Sequence, residues 1–274
     1  MLIRPFEDYE SEENIGLDDE LDRKRAMWIN ADRMVYSGLL GKPSARAVGA
    51  YAVYFSRTVP HRISVDGGQW TSAQLSVVRP YVSHQLASDD PMICTIFVEP
   101  ESVDADRLPC FLTDLPNANH PEVLFTLRHA LRRFSAQPSS HFSTTSGFDT
   151  AFFGAPLQRR LLDPRIQDVL QIGEYHPESQ MSAASCAART YLSVSRFLHL
   201  FRAEVGVSFR DCRAWKRARS VLRCVTRRAN LADVALEAGY PDSSHFSHSM
   251  RRYYGIAPRM LFRGGRNMTL IDVG

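Results

Sequence analysis

The sequence lacks any run of about 18 apolar residues, the length that a helix needs to cross a bilayer, so we expect no membrane-spanning segment. Its first residues are acidic and hold no apolar stretch, which is not typical of a secretory signal. The five cysteines are an odd number without paired spacing, which argues against a disulfide framework and against a zinc knuckle. These absences predict a cytoplasmic protein without a membrane partner or a cofactor.

What the chain does contain is an uneven distribution of charge. After residue 163 there are 17 Lys+Arg against 9 Asp+Glu, whereas the preceding residues carry an excess of acid. The hydrophobic fraction of 44% and the charged fraction of 23% are typical of a globular protein. A basic C-terminal third behind an acidic N-terminal part indicates a module that binds a polyanion, attached to a second region.

The N-terminal region has the period of two that is typical of β-strands. Short strands are predicted at residues 49–55, 61–65, 73–78 and 92–98, with turn signals between them. Such strands favour a small sandwich or barrel. Further along, a period of 3.6 residues over 121–134 predicts a helix, residues 135–147 have the composition of a linker, and Asp163-Pro164 is a helix start signal.

The last third of the chain carries a helix-turn-helix pattern. A short amphipathic helix over residues 231–238 stops at Gly239, a turn follows, and a second helix begins at Ser243 or Ser244. Two helices joined by a short turn with glycine form the plan in which the second helix enters the DNA major groove.

The same pattern occurs earlier, over residues 183–209. The two copies match at an offset of 48 before the turn and 49 in the second helix, so the extra residue falls in the turn. Tyr191 then occupies the position of Gly239, where a positive φ would cost a tyrosine roughly 1–2 kcal/mol. Between the copies, residues 209–225 predict a helix of roughly 25 Å, which allows recognition helices about one DNA turn, roughly 34 Å, apart.

This arrangement resembles the DNA-binding domain of the AraC/XylS family of bacterial transcription regulators over about residues 164–263. The residues that carry the resemblance are Leu231-Ala-Asp-Val-Ala235, Ser244-His-Phe246, Met250-Arg-Arg252 and Gly255-Ile-Ala-Pro258, and, in the first copy, Leu192-Ser-Val-Ser-Arg-Phe197, Leu200-Phe201-Arg202 and Gly206-Val-Ser-Phe209. The resemblance implies a sequence-specific activator or repressor whose partners are double-stranded promoter DNA and RNA polymerase. It also implies a homodimer and a small-molecule effector.

The exposed faces of the two recognition helices are predicted to contact DNA. The residues are Ser195, Arg196, His199 and Arg202 in the first copy, and Ser243, Ser244, Ser247, His248 and Arg251 in the second. Arginine offers two donors that match guanine, and serine hydroxyls bind bases or phosphates. His248 replaces the Arg or Lys that is usual in the family, and histidine is largely neutral at pH 7. The first copy is therefore expected to dominate base readout.

The region before the helices resembles the cupin-like sensor or dimerisation domain common in that family, with Val78-Arg-Pro-Tyr-Val-Ser-His84 as the matching segment. A metal-binding cupin needs several histidines and a glutamate that converge on one site, and the early His-x-His pair is missing. We therefore predict no metal. A small apolar or aromatic ligand is placed against Tyr51, Val53, Phe55 and His84, with a filled barrel as the alternative.

The chain as a whole is predicted to be α+β. It begins with an acidic arm at 1–26, continues with a cupin-like β-barrel domain and following helices at 27–162, and ends with an all-α domain at 163–274 in which a connecting helix joins two helix-turn-helix motifs. The alternatives are a cupin-type enzyme or DNA-repair protein with an appended DNA-binding domain, and an adaptor that binds another protein. Catalysis needs a ligand cluster or an activated thiolate, and neither is found, so a non-enzymatic regulator is predicted.

Overall fold

The N-terminal half of the protein is built on two β-sheets. The computed structural model describes residues 25–113, 120–137, 142–175, 181–265 and 268–273. Strands β1 to β9 span Arg25–Ile29, Arg33–Leu39, Tyr51–Phe55, His61–Val65, Thr71–Ala73, Leu75–Val78, His84–Ala87, Met92–Val98 and Met268–Asp272. The larger sheet has the order β6-β3-β8-β2-β1-β9, and the smaller one β5-β4-β7. The predicted α+β class is confirmed, but the described strands form these two sheets and no closed barrel.

Ten α-helices follow or flank the strands in the described part of the chain. Helices α1 to α10 span Cys110–Thr113, Pro121–Ala136, Thr145–Phe153, Pro164–Tyr175, Ala183–Arg189, Val194–Val205, Phe209–Ser220, Leu231–Glu237, Ser243–Tyr254 and Pro258–Gly265. Short 3-10 turns lie at Pro100–Ser102, Ala105–Arg107 and Val221–Cys224. No helix within these described ranges has the length and apolar character needed to cross a bilayer.

Local chemistry explains where two of these helices begin. Helix α4 starts at Pro164 as the sequence predicts, because the Asp163 carboxylate accepts from the Arg165 N–H at 2.9 Å. The predicted linker at 135–147 is partly wrong, because the Thr144 hydroxyl accepts from the Gly147 N–H at 3.0 Å and caps α3. Residues 138–141 of that linker lie outside the described residues.

The large sheet is covered on both faces. On one face, Trp28, Val53 and Phe55 pack against aromatic side chains of α2 and α3, including Phe134 and Phe148. The other face packs against the smaller sheet and against helices of the C-terminal region, through side chains such as Met34, Tyr54, Ile63, Leu222 and Tyr253. Because both faces are buried, β3 carries apolar or aromatic residues at every position, and β8 does so at all but one, rather than at alternate ones.

One strand departs from the predicted boundaries. Residues 268–272, assigned in advance to an all-α domain, form β9, which pairs in parallel with β1 so that Ala26 lies beside Thr269 and Trp28 beside Ile271. Residues 1–24 of the predicted acidic arm lie outside the described residues, and the other two belong to β1. The chain therefore returns to its first described strand after both helix-turn-helix motifs.

Candidate nucleic-acid interface

The first helix-turn-helix motif consists of α5 and α6. The Ser193 hydroxyl caps α6 by accepting from the Arg196 N–H, and Gly206 ends the helix with a φ of 84°. Phe197 and Phe201 are buried on the inner face of α6. The four residues predicted to contact DNA are all exposed on its outer face: Ser195, Arg196, His199 and Arg202.

The second motif consists of α8 and α9. The Asp242 carboxylate accepts from the N–H groups of Ser244 and His245, both at 2.8 Å, and so caps α9. Phe246 and Met250 are buried as predicted for the core face. Of the residues predicted to contact DNA, Ser243, Ser244, His248 and Arg251 are exposed, and Ser247 is partly buried.

The repeat that is visible in the sequence extends to individual hydrogen bonds. In the first turn, the Leu192 N–H donates to the Ala187 carbonyl at 2.9 Å, and in the second, the Tyr240 N–H donates to the Ala235 carbonyl at 2.8 Å. The donor and the acceptor of the first bond each lie 48 positions before their counterparts in the second, as the sequence predicts. The backbone hydrogen bond that closes the turn is thus shared, and the extra residue of the second motif, Pro241, lies between Tyr240 and Asp242, the cap of α9.

Tyr191 has a left-handed backbone, as does Gly239 at the equivalent position of the second turn. Its φ is 55°, against 75° for Gly239 in the second turn. A side chain at such a φ costs roughly 1–2 kcal/mol that glycine avoids. The Tyr191 side chain is 96% exposed, so packing in the folded protein does not offset this cost.

The two motifs differ in the charge that they present. The first motif, residues 183–205, contains three arginines and one acid, Glu204, whereas the second, residues 231–254, contains two arginines and three acids, Asp233, Glu237 and Asp242. Glu237 forms an exposed ion pair with Arg227 at 2.6 Å, and Asp242 is the cap of α9. The surface of the first motif therefore attracts phosphate more strongly than that of the second.

The connecting helix is continuous, as predicted: α7 passes into the 3-10 turn at Val221–Cys224. Its cations, however, do not all face solvent. Glu99, fully buried at the end of β8, accepts from the Trp215 indole N–H at 3.0 Å and lies 2.8 Å from both Lys216 Nζ and Arg219 Nε. Sequence reasoning missed this buried ion cluster, although two acids directly after an apolar strand were a possible signal.

Charge on the connecting helix is thus partly neutralised inside the protein. Lys216 also lies 2.5 Å from a Glu101 carboxylate oxygen. Burial alone would lower the pKa of Lys216, but Glu101 and Glu99 raise it above its usual value. Arg219 donates to the carbonyl oxygens of Asn30 and Arg33 at 2.6 and 2.9 Å. These two cations hold α7 on the sheet and are not free to meet DNA.

The second motif is joined to the N-terminal sheets, whereas the first has a core of its own. The Ala47 N–H donates to the Arg252 carbonyl at 2.8 Å, and Trp215 meets Tyr253 with ring centroids 5.4 Å apart. The buried residues of the first motif form a separate cluster with α4 and the start of α7, which includes Ile166, Phe201 and Cys212. The second motif therefore shares a buried core with the sheets, whereas the first motif does not.

A cavity lies where the large sheet meets the second motif. It is partly open to solvent and is lined by apolar and aromatic side chains such as Met34, Tyr54, Phe97 and Tyr254. Arg46 also lines it. The Nε and Nη2 atoms of Arg46 are enclosed and have no hydrogen-bond partner in the described part of the chain. Burial lowers the pKa of this guanidinium.

The ligand site predicted from the sequence does not coincide with this cavity. Val53 and Phe55 point to the opposite face of β3, into the core shared with α2 and α3, and Tyr51 packs on that same core. His84 is engaged with the Tyr54 hydroxyl at 2.7 Å. Because side chains alternate along a strand, residues 51, 53 and 55 lie on the face away from the cavity, and Tyr54 is the residue of β3 that lines it; the predicted ligand contacts stay a prediction.

Metal and thiol chemistry find little support in the described residues. Within them, no three His, Cys, Asp or Glu side chains come together in a way that could hold a metal ion. All five cysteines are free thiols. Burial raises the pKa of the Cys186 and Cys212 thiols, which disfavours the reactive thiolate.

Comparison with known proteins places the similarity mainly in the C-terminal region. A family model described as a helix-turn-helix domain matches residues 186–264. The arabinose operon regulatory protein of Salmonella typhimurium is 33% identical over 106 residues, covering 38% of this chain and 37% of that protein. Its counterpart in Escherichia coli is 32% identical over 114 residues, covering 41% and 39%. The chain thus matches less than half the length of these relatives.

The similarity in fold covers more of the chain than the similarity in sequence does. Two crystal structures of ToxT from Vibrio cholerae, one of them an apo variant, superpose with TM-scores of 0.56 and 0.53 and cover 85% of this chain and 97% of theirs. The identities are only 10% and 12%. The arrangement of sheet and paired motifs is therefore shared, while most of the amino acids differ.

Proposed function

Because its C-terminal part is a helix-turn-helix domain of the AraC type, we propose that this chain is a sequence-specific transcription regulator. The observation that carries the proposal is the pair of capped recognition helices, α6 and α9, each with a buried apolar face and an exposed polar face. The connecting helix holds the two motifs at a fixed separation. The protein would bind successive major-groove segments on one face of the duplex.

The two recognition helices have different tasks in this proposal. In α6, Ser195, Arg196 and His199 contact base edges, because the N-terminal residues of a recognition helix enter the groove. Arg202, one helical turn further on, meets a phosphate. The serines of α9, with His248 and Arg251, contact the adjacent major groove and fix the orientation of the protein on the DNA. The net positive charge of the first motif supports this division.

Fluorescence anisotropy with promoter DNA from the protein's own locus tests the function. We expect tighter binding to that DNA than to a scrambled duplex of equal length at physiological salt. Equal affinity for the two duplexes would exclude sequence-specific regulation at that site, because phosphate attraction alone does not distinguish sequences.

Two matched arginine variants test the division of roles. Arg196→Ala should reduce the preference for promoter over scrambled DNA, at a cost of about 1–3 kcal/mol on the promoter. Arg202→Ala should weaken both duplexes alike and reduce the salt dependence by about one released ion. Parallel losses on every sequence for both variants would contradict the assignment of Arg196 to base readout.

We further propose that the cavity beside Arg46 is the site of a small-molecule effector. An enclosed guanidinium without an acidic partner is costly to bury, and the surrounding walls are largely apolar. A carboxylate attached to an apolar body satisfies both features, since it pairs with the guanidinium while its body fills the cavity. The aromatic side chains of Tyr253 and Tyr254, which belong to α9, line the same space, so occupancy would bear on the second motif.

Calorimetry with octanoate and octanol tests the effector site. The two probes share an apolar chain, and only octanoate carries the charge. We expect octanoate to bind and octanol not to bind, and Arg46→Met to abolish binding of octanoate while the protein stays folded. Similar heats for both probes, or no heat with either, would remove the cavity as a site for organic anions.

The remaining parts of the proposal come from the resemblance. The protein would act in the cytoplasm on promoter DNA and without enzymatic activity, would contact RNA polymerase, and would form a homodimer through residues 27–162. Sedimentation velocity measures the oligomeric state, and transcription in vitro measures the sign of regulation. Metal analysis and a thiol-reactivity assay address the rival, a cupin-type enzyme or DNA-repair protein: bound metal or a fast-reacting cysteine would favour it.

A further inference from the structure

The turn of the first motif keeps a tyrosine where the second has glycine. Tyr191 has a φ of 55°, and its N–H donates to the Ala188 carbonyl at 3.2 Å. Gly239 has a φ of 75°, and its N–H donates to the Leu236 carbonyl at 2.8 Å. Because the backbone of the two turns is the same, glycine would satisfy the first turn with less strain.

The contacts of the Tyr191 side chain do not stabilise the folded protein. Tyr191 is 96% exposed, and within the described residues its hydroxyl makes no hydrogen bond and its ring no aromatic contact. Both features are unfavourable in the folded protein: the left-handed backbone strains a residue with a side chain, and the exposed aromatic ring buries no apolar surface. Strained residues of this kind are kept where they serve a function.

The position of Tyr191 points to the DNA backbone. It lies two residues before Ser193, the cap of α6, and the N-terminal residues of a recognition helix are those that enter the groove. Arg189 beside it is exposed, and no acid occurs in residues 181–203. The exposed side chain therefore lies next to the start of the recognition helix, in a stretch of sequence whose charged residues are all basic.

We propose that Tyr191 donates a hydrogen bond from its hydroxyl to a DNA phosphate that flanks the major-groove segment read by α6. This rests on the proposed function, because it presupposes that the first motif docks on DNA. Tyrosine is among the side chains that bind phosphate oxygens. The contact would fix the register of α6 without reading sequence.

Two substitutions separate the hydroxyl from the ring. In fluorescence anisotropy, Tyr191→Phe and Tyr191→Gly should both weaken binding by about tenfold, equally on promoter and scrambled DNA. The salt dependence should not change, because a neutral donor releases no counterion, whereas Arg202→Ala should reduce it. In thermal unfolding without DNA, Tyr191→Gly should melt higher than the unchanged protein.

The outcomes are distinct. Leu161→Ala, at a side chain that is 94% exposed and outside both motifs, serves as the control and should bind like the unchanged protein. If the unchanged protein binds its promoter and Tyr191→Gly binds equally well, the contact is refuted while the proposed function stands. If only Tyr191→Gly loses affinity, the ring and not the hydroxyl makes the contact, which also overturns the proposal. If the unchanged protein shows no preference for its promoter, the proposed function fails first.

Discussion

At the scale of single residues, Glu99 connects the large sheet to helix α7. Its carboxylate is buried against Trp215, Lys216 and Arg219. We expect Glu99→Gln to lower the free energy of unfolding by about 3–5 kcal/mol, because it leaves buried cations without their partner. Urea unfolding followed by tryptophan fluorescence measures this. Glu237→Gln, which removes only an exposed ion pair with Arg227, is the control, and equal midpoints for the two variants would contradict the prediction.

Two buried histidines make stability depend on pH. Burial lowers the pKa of both His61 and His84 to about 4, whereas an unfolded histidine titrates near 6.5. Above that pH both are neutral in either state and their contribution is complete. As the pH falls from about 6.5 towards 4, the histidines bind protons in the unfolded chain but stay neutral in the folded chain. The free energy of unfolding therefore declines.

The size of this effect is measurable. Each histidine should cost up to about 1.4 kcal/mol per pH unit in that window. His61→Gln, which can replace hydrogen bonds to Ser56 and Ser76, should flatten the slope of unfolding free energy against pH. A slope unchanged from that of the parent protein would show that His61 is not the group that titrates.

The DNA-facing residues and the ligand residues were predicted from different sequence patterns. The nine residues assigned to the DNA-facing surface were found from a helical period, and the structure leaves eight of them exposed and Ser247 partly buried; their contacts with DNA stay predictions. The ligand residues were chosen on β3, which is buried on both faces. There the period of two cannot distinguish the faces, because both are apolar.

At the scale of elements, β9 decides how the C-terminal region is attached. It pairs with β1, and Asp272 at its end forms an ion pair with Arg223. We expect a chain that stops at residue 267 to expose the outer edge of β1. Hydrogen exchange should then be faster at the β1 amides, while α6 keeps its protection. Asp272→Asn, which removes the charge and keeps the strand, is the control; unchanged exchange in β1 after truncation would refute the prediction.

The same element shows why part of the fold could not be predicted. Helix α2 and the paired motifs follow from local periodicity and caps, which neighbouring residues carry. Strand β9 has only five residues, and it is a strand because β1, more than 200 positions earlier, offers it an edge. Such non-local pairing leaves no periodic signal in a short segment. The two-sheet arrangement, in place of a closed barrel, is likewise a property of long-range pairing.

At the scale of the whole molecule, the two motifs are unequally independent. The first has its own core around Phe197 and Phe201, whereas the second shares its core with the sheets. A fragment of residues 163–274 should therefore keep α6 protected from hydrogen exchange and lose protection in α9. The full chain is the reference. Equal protection of both helices in the fragment would show that the second motif does not depend on the sheet.

The pairing of β1 with β9 has a consequence for how the protein is made. The ribosome releases β1 early, but the sixth strand of its sheet emerges only after residue 272 has been synthesised, when both motifs already exist as nascent chain. Domains that are contiguous in sequence can fold during translation, N-terminal domain first. Within the described residues, β9 is the partner of this edge of β1, so completion of the large sheet is a step that follows synthesis of the DNA-binding region.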